Sequence, residues 1–145
     1  MEKFDLVVIG AGPAGYAAAM RALDFKKRTL LIEKNSLGGA GVTNGALSSK
    51  TWWELAREAA AFRKNLRRYN LEEPSVSFRE IQNEVRKAVA ERKSLLEEHM
   101  NELKATVYPN LLFYKTGQAR LKTSHEIEIT YPSNRVETVY AENII

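Results

Sequence analysis

The sequence predicts an α/β fold: a parallel sheet with helices, followed by a small antiparallel β-meander. Three observations predict it. An apolar run ends in a glycine-rich turn; a small-residue helix and a second apolar run follow by residue 33; and residues 111–140 break into short strand-like segments separated by turn chemistry.

Residues 4–9 (FDLVVI) form a nearly continuous apolar run ending at Gly10, the pattern of a strand buried on both faces in a parallel sheet. Residues 15–23 follow as a helix whose Ala17, Ala18, Ala19 and Ala22 suit close packing. Residues 29–33 (TLLIE) are a second buried strand, and it ends on a carboxylate. Strand, glycine turn, helix and strand over 4–33 make a βαβ unit.

Gly10-Ala11-Gly12-Pro13-Ala14-Gly15 matches GxGxxG, with a strand before it and a helix after it. Gly10 permits the tight turn, Gly12 lets the backbone approach a pyrophosphate, and Gly15 lets the helix pack closely on the strand. The pyrophosphate would rest beside Pro13 and Ala14 at the helix N-terminus, where unpaired amides and the helix dipole favour an anion. Glu33, at the end of the second strand, can accept hydrogen bonds from both ribose hydroxyls of an adenosine. Its charge argues against a 2′-phosphate, so the pattern predicts NAD or FAD rather than NADP.

Residues 38–50, GGAGVTNGALSSK, read as a loop without cysteine, histidine or carboxylate. Residues 49–69 then read as a helix, with Ser49 as its cap and Leu55, Ala59, Phe62 and Leu66 on its apolar face. Trp52 and Trp53 within it suit packing rather than cofactor stacking. Glu72, Glu73 and Pro74 break the pattern, and Ser77-Phe78-Arg79-Glu80 fits a capping box. That box opens a long helix with the stripe Phe78, Ile81, Val85, Ala88, Leu95, Met100 and Leu103, so a helical pair spans 49–105. Strand-like runs at 111–115, 119–122, 126–130 and 135–140, with turns at Thr116-Gly117 and Pro132-Ser133-Asn134, give an antiparallel meander over 111–140.

Composition excludes several function classes. The 145 residues contain no cysteine, which removes any disulfide, thiolate metal site or cysteine nucleophile from this chain. No metal-ligand cluster is evident, and neither His99 nor His125 stands in a catalytic pattern. Net charge is +4, and the basic cluster Arg63, Lys64, Arg67 and Arg68 reads as a solvated helix face, since no nucleic-acid motif accompanies it. No window approaches the length of a membrane span and no secretory signal opens the chain, so no nucleic acid and no membrane are expected as partners, and the default location is cytoplasmic.

The order VVIGAGPAG, LLIEK, GG(A)G and G(AL)SSK resembles the FAD-binding region of the class I pyridine nucleotide-disulfide oxidoreductases. That family includes dihydrolipoamide dehydrogenase, glutathione reductase, mercuric reductase and the soluble transhydrogenase. The family loop reads GGTCxNxGCxPSK, its two cysteines forming the redox disulfide. Here Gly38, Gly39, Gly45, Ser49 and Lys50 match it, while Ala40, Thr43 and Ser48 replace Thr, Asn and Pro. Gly41 and Ala46 stand at the two cysteine positions. The resemblance covers essentially the whole chain. It implies the N-terminal part of a Rossmann-like FAD-binding domain, incomplete at its C-terminus, with the nicotinamide and dimerisation domains absent.

The resemblance also assigns roles. Gly38, Gly39 and Ala40 lie along the flavin and pyrophosphate, Lys50 near the flavin's reactive nitrogen, and Lys34 beside the nucleotide. Gln118 and Ala119, in GQAR, contact the adenine through the backbone. No residue of this chain is expected to be catalytic, because the redox-cysteine positions hold Gly41 and Ala46. The implied function is the FAD-binding portion of a flavin-dependent NAD(P)H oxidoreductase that lacks the redox disulfide, transhydrogenase-like in kind. The full-length parent is expected to be an FAD-dependent homodimer, with NAD(P) held in the absent domain. This chain alone is expected to be inactive, to retain FAD weakly or not at all and to self-associate. Two other readings stay open: an NAD-binding Rossmann module of a dehydrogenase, and a non-catalytic interaction module that keeps the fold.

Overall fold

In the computed structural model of the chain, residues 1–43, 45–72 and 74–145 are described. The expectations touching Asn44, in the 38–50 loop, and Glu73, in the helix break, lie outside them. The chain forms two compact units, Met1–Gly39 with Lys93–Ile145, and Ala40–Arg92.

The first unit is built on a six-stranded sheet of order β3-β2-β1-β6-β5-β4. Its strands are β1 (Lys3–Ile9), β2 (Thr29–Glu33), β3 (Leu112–Thr116), β4 (Gln118–Leu121), β5 (Glu126–Thr130) and β6 (Val136–Ile144). β1 pairs in parallel with β2 and β6, and β2 in parallel with β3, in registers such as Val7↔Leu30 and Leu30↔Phe113. β4, β5 and β6 are antiparallel. β6 serves both arrangements, because Val136 to Tyr140 face β5 while Tyr140 to Ile144 face β1.

Every residue of β2 is buried, as a strand covered on both faces requires. On one face Leu6, Val8 and Leu31 pack with Ala19 and Leu23 of α1 (Pro13–Asp24) and with Met100 near the end of α4 (Phe78–Glu102). On the other, Phe4, Val7, Leu30 and Ile32 share a buried cluster with Ile127, Ile129 and Val139 of the meander.

The predicted meander over 111–140 needs correction at its first strand. β3 lies at the opposite edge of the sheet from β4, hydrogen-bonded in parallel to β2. Only Gly117 separates β3 from β4, which suggests a hairpin in the sequence. However, α4 returns the chain as a crossover, and the Gly117 amide bonds to the main-chain oxygen of Glu33 at 2.9 Å, so the chain crosses the end of β2 instead of turning back.

The second unit contains α2 (Gly39–Thr43) from its second residue on, α3 (Ala46–Arg68) and the first part of α4. Leu66 and Val85 are its buried apolar residues, and Trp52 stacks on Phe78 with ring centroids 5.2 Å apart. Phe62, placed on the apolar face by periodicity, is exposed. α3 ends where Asn70 takes φ +53° and the Leu71 amide bonds back to Leu66 at 2.9 Å, a Schellman-type closure. Ser77 caps α4 as predicted, its Oγ accepting the Glu80 amide at 3.3 Å. Along α4, Leu96 rather than the predicted Leu95 packs on the core; Leu95 is exposed. The helix ends at Glu102 and widens into a π-helical turn, Leu103–Val107. No helix among the described residues is long and apolar enough to cross a membrane.

Candidate functional site

The glycine motif forms the turn from β1 into α1. Gly10 has φ +104°, a left-handed conformation that side chains disfavour. Gly12 is the N-cap of α1, Pro13 occupies the first helical position and Ala14 follows it. The helix therefore begins two residues earlier than residue 15. Proline suits that place because its φ is preset and no amide is lost from the helix ladder.

Gly15 is needed for contact. A Cβ there would lie 1.9 Å from the Gly10 carbonyl oxygen, so the first turn of α1 rests directly on the strand end. A Cβ built on Gly12 meets nothing within 4 Å. Gly12 thus needs its missing side chain neither for packing nor for an unusual φ, which is −70°. The open space in front of it is what a closely approaching ligand requires.

Glu33 ends β2 and is 7% exposed. Its Oε2 accepts the Ala11 amide at 2.8 Å and its Oε1 accepts the Asn35 amide at 2.9 Å. A carboxylate has about four acceptor sites, so lone pairs remain after these two bonds. A cleft of about 330 Å³ opens beside it, lined by Ile9, Gly10, Ile32, Glu33, Lys34, Gly117, Gln118 and Ala119. Of the sequence-predicted residues, the structure brings together Gly10, Glu33, Lys34, Gln118 and Ala119. It adds Ile9, Ile32 and Gly117. A Cβ on Gly117 would fall 2.8 Å from an Ile129 methyl and 2.9 Å from the Thr130 oxygen, and its place in the Thr116-Gly117 turn, as the first residue of GQAR, was the sequence signal for it.

Gly38 and Gly39, with φ +88° and +55°, follow the turn after β2. The resemblance sets both along the pyrophosphate, but their amides are bonded within the fold. Gly38 donates to Ala11 at 2.9 Å and Gly39 to Ser36 at 3.2 Å.

The rest of the predicted 38–50 loop is mostly helical, a correction to the sequence reading. Ala40 and Gly41 lie in α2, while Ala46 opens α3, with Lys50 exposed on it. The N-cap of α3 is Gly45 and not Ser49. A Cβ on Gly45 would come within 2.6 Å of the Ala40 oxygen, so glycine lets the two short segments meet there. Ser49 lies inside the helix, and its hydroxyl donates back to the Gly45 oxygen at 3.0 Å.

Two neighbouring groups were not read from the sequence. The Tyr16 hydroxyl, one position past the motif, lies 3.1 Å from His99 Nδ1. Burial raises the Tyr114 hydroxyl above its ordinary pKa, a hydrogen bond to Thr116 opposes that, and the charges of Glu33 and Glu97 add to it.

A family profile described as pyridine nucleotide-disulphide oxidoreductase matches residues 4–133. The chain is 29% identical over 145 residues to the dihydrolipoyl dehydrogenase of Chlorobaculum tepidum, covering 99% of this chain and 29% of that protein. It is 27% identical over 150 residues to the soluble pyridine nucleotide transhydrogenase of Colwellia psychrerythraea, covering 100% and 31%. The dihydrolipoyl dehydrogenase of Chlamydia pneumoniae is 51% identical over 49 residues, 34% of this chain and 11% of that one. Among solved structures, the HOCl-induced flavoprotein disulfide reductase RclA of Escherichia coli superimposes with a TM-score of 0.75 at 21% identity, over 99% of this chain and 28% of that one. The fold is therefore shared with a flavoprotein. The chain spans less than a third of the length of these curated relatives.

Proposed function

The chain belongs to the pyridine nucleotide-disulphide oxidoreductase family, and on that premise we propose that it is the FAD-binding portion of a flavin-dependent NAD(P)H oxidoreductase working without a redox disulfide. The observation that carries this reading is the cleft beside Glu33, walled by Gly10, Lys34, Gln118 and Ala119, next to a Gly12 whose Cβ position is open. These residues fit the adenosine diphosphate part of FAD. The diphosphate rests on the N-terminus of α1, where the amides of Ala14 and Gly15 precede the intrahelical ladder and the dipole favours negative charge. Glu33 accepts from the ribose hydroxyls with the lone pairs its amide bonds leave over. A 2′-phosphate would set a second negative group against that buried carboxylate, so the site selects a plain adenosine. Gln118 and Ala119 offer main-chain groups to the adenine edge, and Lys34 covers the cleft from its exposed side.

FAD, when bound, supplies the hydride acceptance and electron transfer. The chain's residues supply position and exclude water from the diphosphate. Gly41 and Ala46, at the cysteine positions of the family loop, carry no group able to exchange disulfides, so the acceptor is not reached through a dithiol of this chain. Lys50 is assigned to the flavin end by its place in the loop, and Gly38, Gly39 and Ala40 to the phosphate side. In the whole protein a nicotinamide domain and a dimerisation domain complete a cytoplasmic homodimer. The isolated chain holds FAD weakly and self-associates.

Calorimetric titration tests the reading. ADP should bind, its 2′-phosphorylated analogue should bind at least about tenfold more weakly, and FAD should compete with ADP. Equal affinity for the two nucleotides would remove Glu33 from its role. Competition by NAD but not by FAD would place the chain with the ordinary dehydrogenases, and absence of any binding would favour a non-catalytic module.

A further inference from the structure

Resting on the nucleotide-binding reading above, we propose that Gly39 is a positioning residue for the diphosphate, acting through Gly12 by having no side chain. The end of β2 and the segment that follows it hold the glycine turn from two sides. Glu33 Oε2 accepts the Ala11 amide at 2.8 Å, and the Ala11 carbonyl accepts the Gly38 amide at 2.9 Å. Both main-chain groups of Ala11, itself fully buried, are thereby committed to this stretch.

Gly12 comes next in the turn. A Cβ on Gly39 would have the Gly12 Cα as its nearest neighbour at 3.1 Å, and the Gly12 nitrogen at 3.5 Å. A contact that close displaces one partner by a few tenths of an ångström. Residue 39 has little room to retreat, because its amide bonds to Ser36 at 3.2 Å and Leu37 is anchored in the core at 3% exposure. Gly12 therefore moves. A Cβ built on Gly12 meets nothing within 4 Å, so the displacement is taken up in that open space, the space assigned to the phosphate. A shift of this size degrades the alignment of several charge-assisted hydrogen bonds at once.

Gly39 also has φ +55°, and the backbone conformation alone is the competing explanation for glycine. The two explanations separate cleanly. Asparagine enters the left-handed region readily yet carries a Cβ, so it relieves conformational strain without relieving the contact with Gly12.

The test is titration of the 145-residue chain with ADP and with adenosine, for the wild type, Gly39→Ala and Gly39→Asn. Adenosine reports the cleft at Glu33 and Gln118, and ADP adds the diphosphate. Adenosine should bind all three proteins alike, while ADP affinity falls about tenfold or more in both variants, the loss of roughly one charge-assisted hydrogen bond. Recovery of ADP affinity in Gly39→Asn would overturn the inference in favour of conformation alone. Unchanged ADP affinity in both variants would also overturn it, as would a parallel loss of adenosine and ADP, the mark of a general disturbance of the fold. Failure of the wild type to bind ADP would overturn the nucleotide-binding reading itself, before any substitution is made.

Discussion

At Gly15 the structure leaves no space for a carbon atom, whereas at Gly12, three residues earlier, it leaves a void in front of the backbone. The same residue type therefore serves opposite ends within one motif. Gly15→Ala should destabilise the protein by about 3 kcal/mol, because backbone rather than a flexible side chain blocks the new methyl. Gly12→Ala should leave stability within about 0.5 kcal/mol of the wild type while weakening ADP binding. Denaturant unfolding of both variants checks the pair; equal destabilisation would contradict it. The GxGxxG spacing made these glycines legible, but it does not distinguish a contact glycine from an approach glycine. Nor does it show the second task of Glu33. The carboxylate was read as a ribose acceptor, and its bonds to the Ala11 and Asn35 amides depend on a turn geometry that the sequence does not encode locally.

Among the elements, β1, α1 and β2 were legible because each is short and strongly patterned, and the strands end in turn or charged residues. α4 was legible in existence and less so in facing. Leu95 and Leu96 are adjacent, and a stripe drawn by eye over a long helix drifts by one residue; packing against the buried cluster that holds Met100 and Leu103 selects Leu96. The place of β3 was not legible, because strand order is decided by the crossover through α4 and not by the single residue separating β3 from β4.

Once there, β3 carries Lys115 into a charged network spanning the sheet. Its Nζ lies 2.7 Å from Glu2 Oε2 and 2.6 Å from Glu137 Oε1, and the Tyr131 hydroxyl also donates to Glu137. Burial pushes the Glu137 carboxyl up, but the hydrogen bonds from Lys115 and Tyr131 outweigh it and hold it below the usual carboxylate range. Burial likewise pushes Lys115 down, and its bonds to Glu137 and Glu2 carry it above the usual lysine value. The Glu137 contribution to stability is therefore present above the ordinary glutamate pKa and is lost as pH falls through the lowered one. That of Lys115 is present below the ordinary lysine pKa and is lost as pH rises through the raised one. Lys115→Met should cost about 1–2 kcal/mol at neutral pH, by taking the nearest cation from a partly buried carboxylate and leaving it only the Tyr131 hydroxyl and the more distant Arg135. The deficit should shrink on acidification below the glutamate range. A deficit independent of pH, in unfolding measured across that range, would contradict the pairing.

For the whole molecule, the sequence carried the fold class and the family, while the strand order and the helical character of residues 39–43 and 46–50 emerged only from tertiary structure. α2 and the early start of α3 depend on Gly45 meeting the Ala40 oxygen, a contact no periodicity announces. The residues proposed to hold the adenosine lie in the first unit, where the glycine turn, the end of β2 and the start of β4 converge on one cleft. The central claim is that this cleft holds the ADP part of FAD. It is tested most directly by following the backbone amide resonances of the isotope-labelled chain during titration with ADP. The account predicts saturable shifts at Gly10, Gly12, Ala14, Gly15, Gln118 and Ala119, and the same set perturbed by FAD. Shifts that do not saturate, or that fall only among residues 40–92, would contradict it.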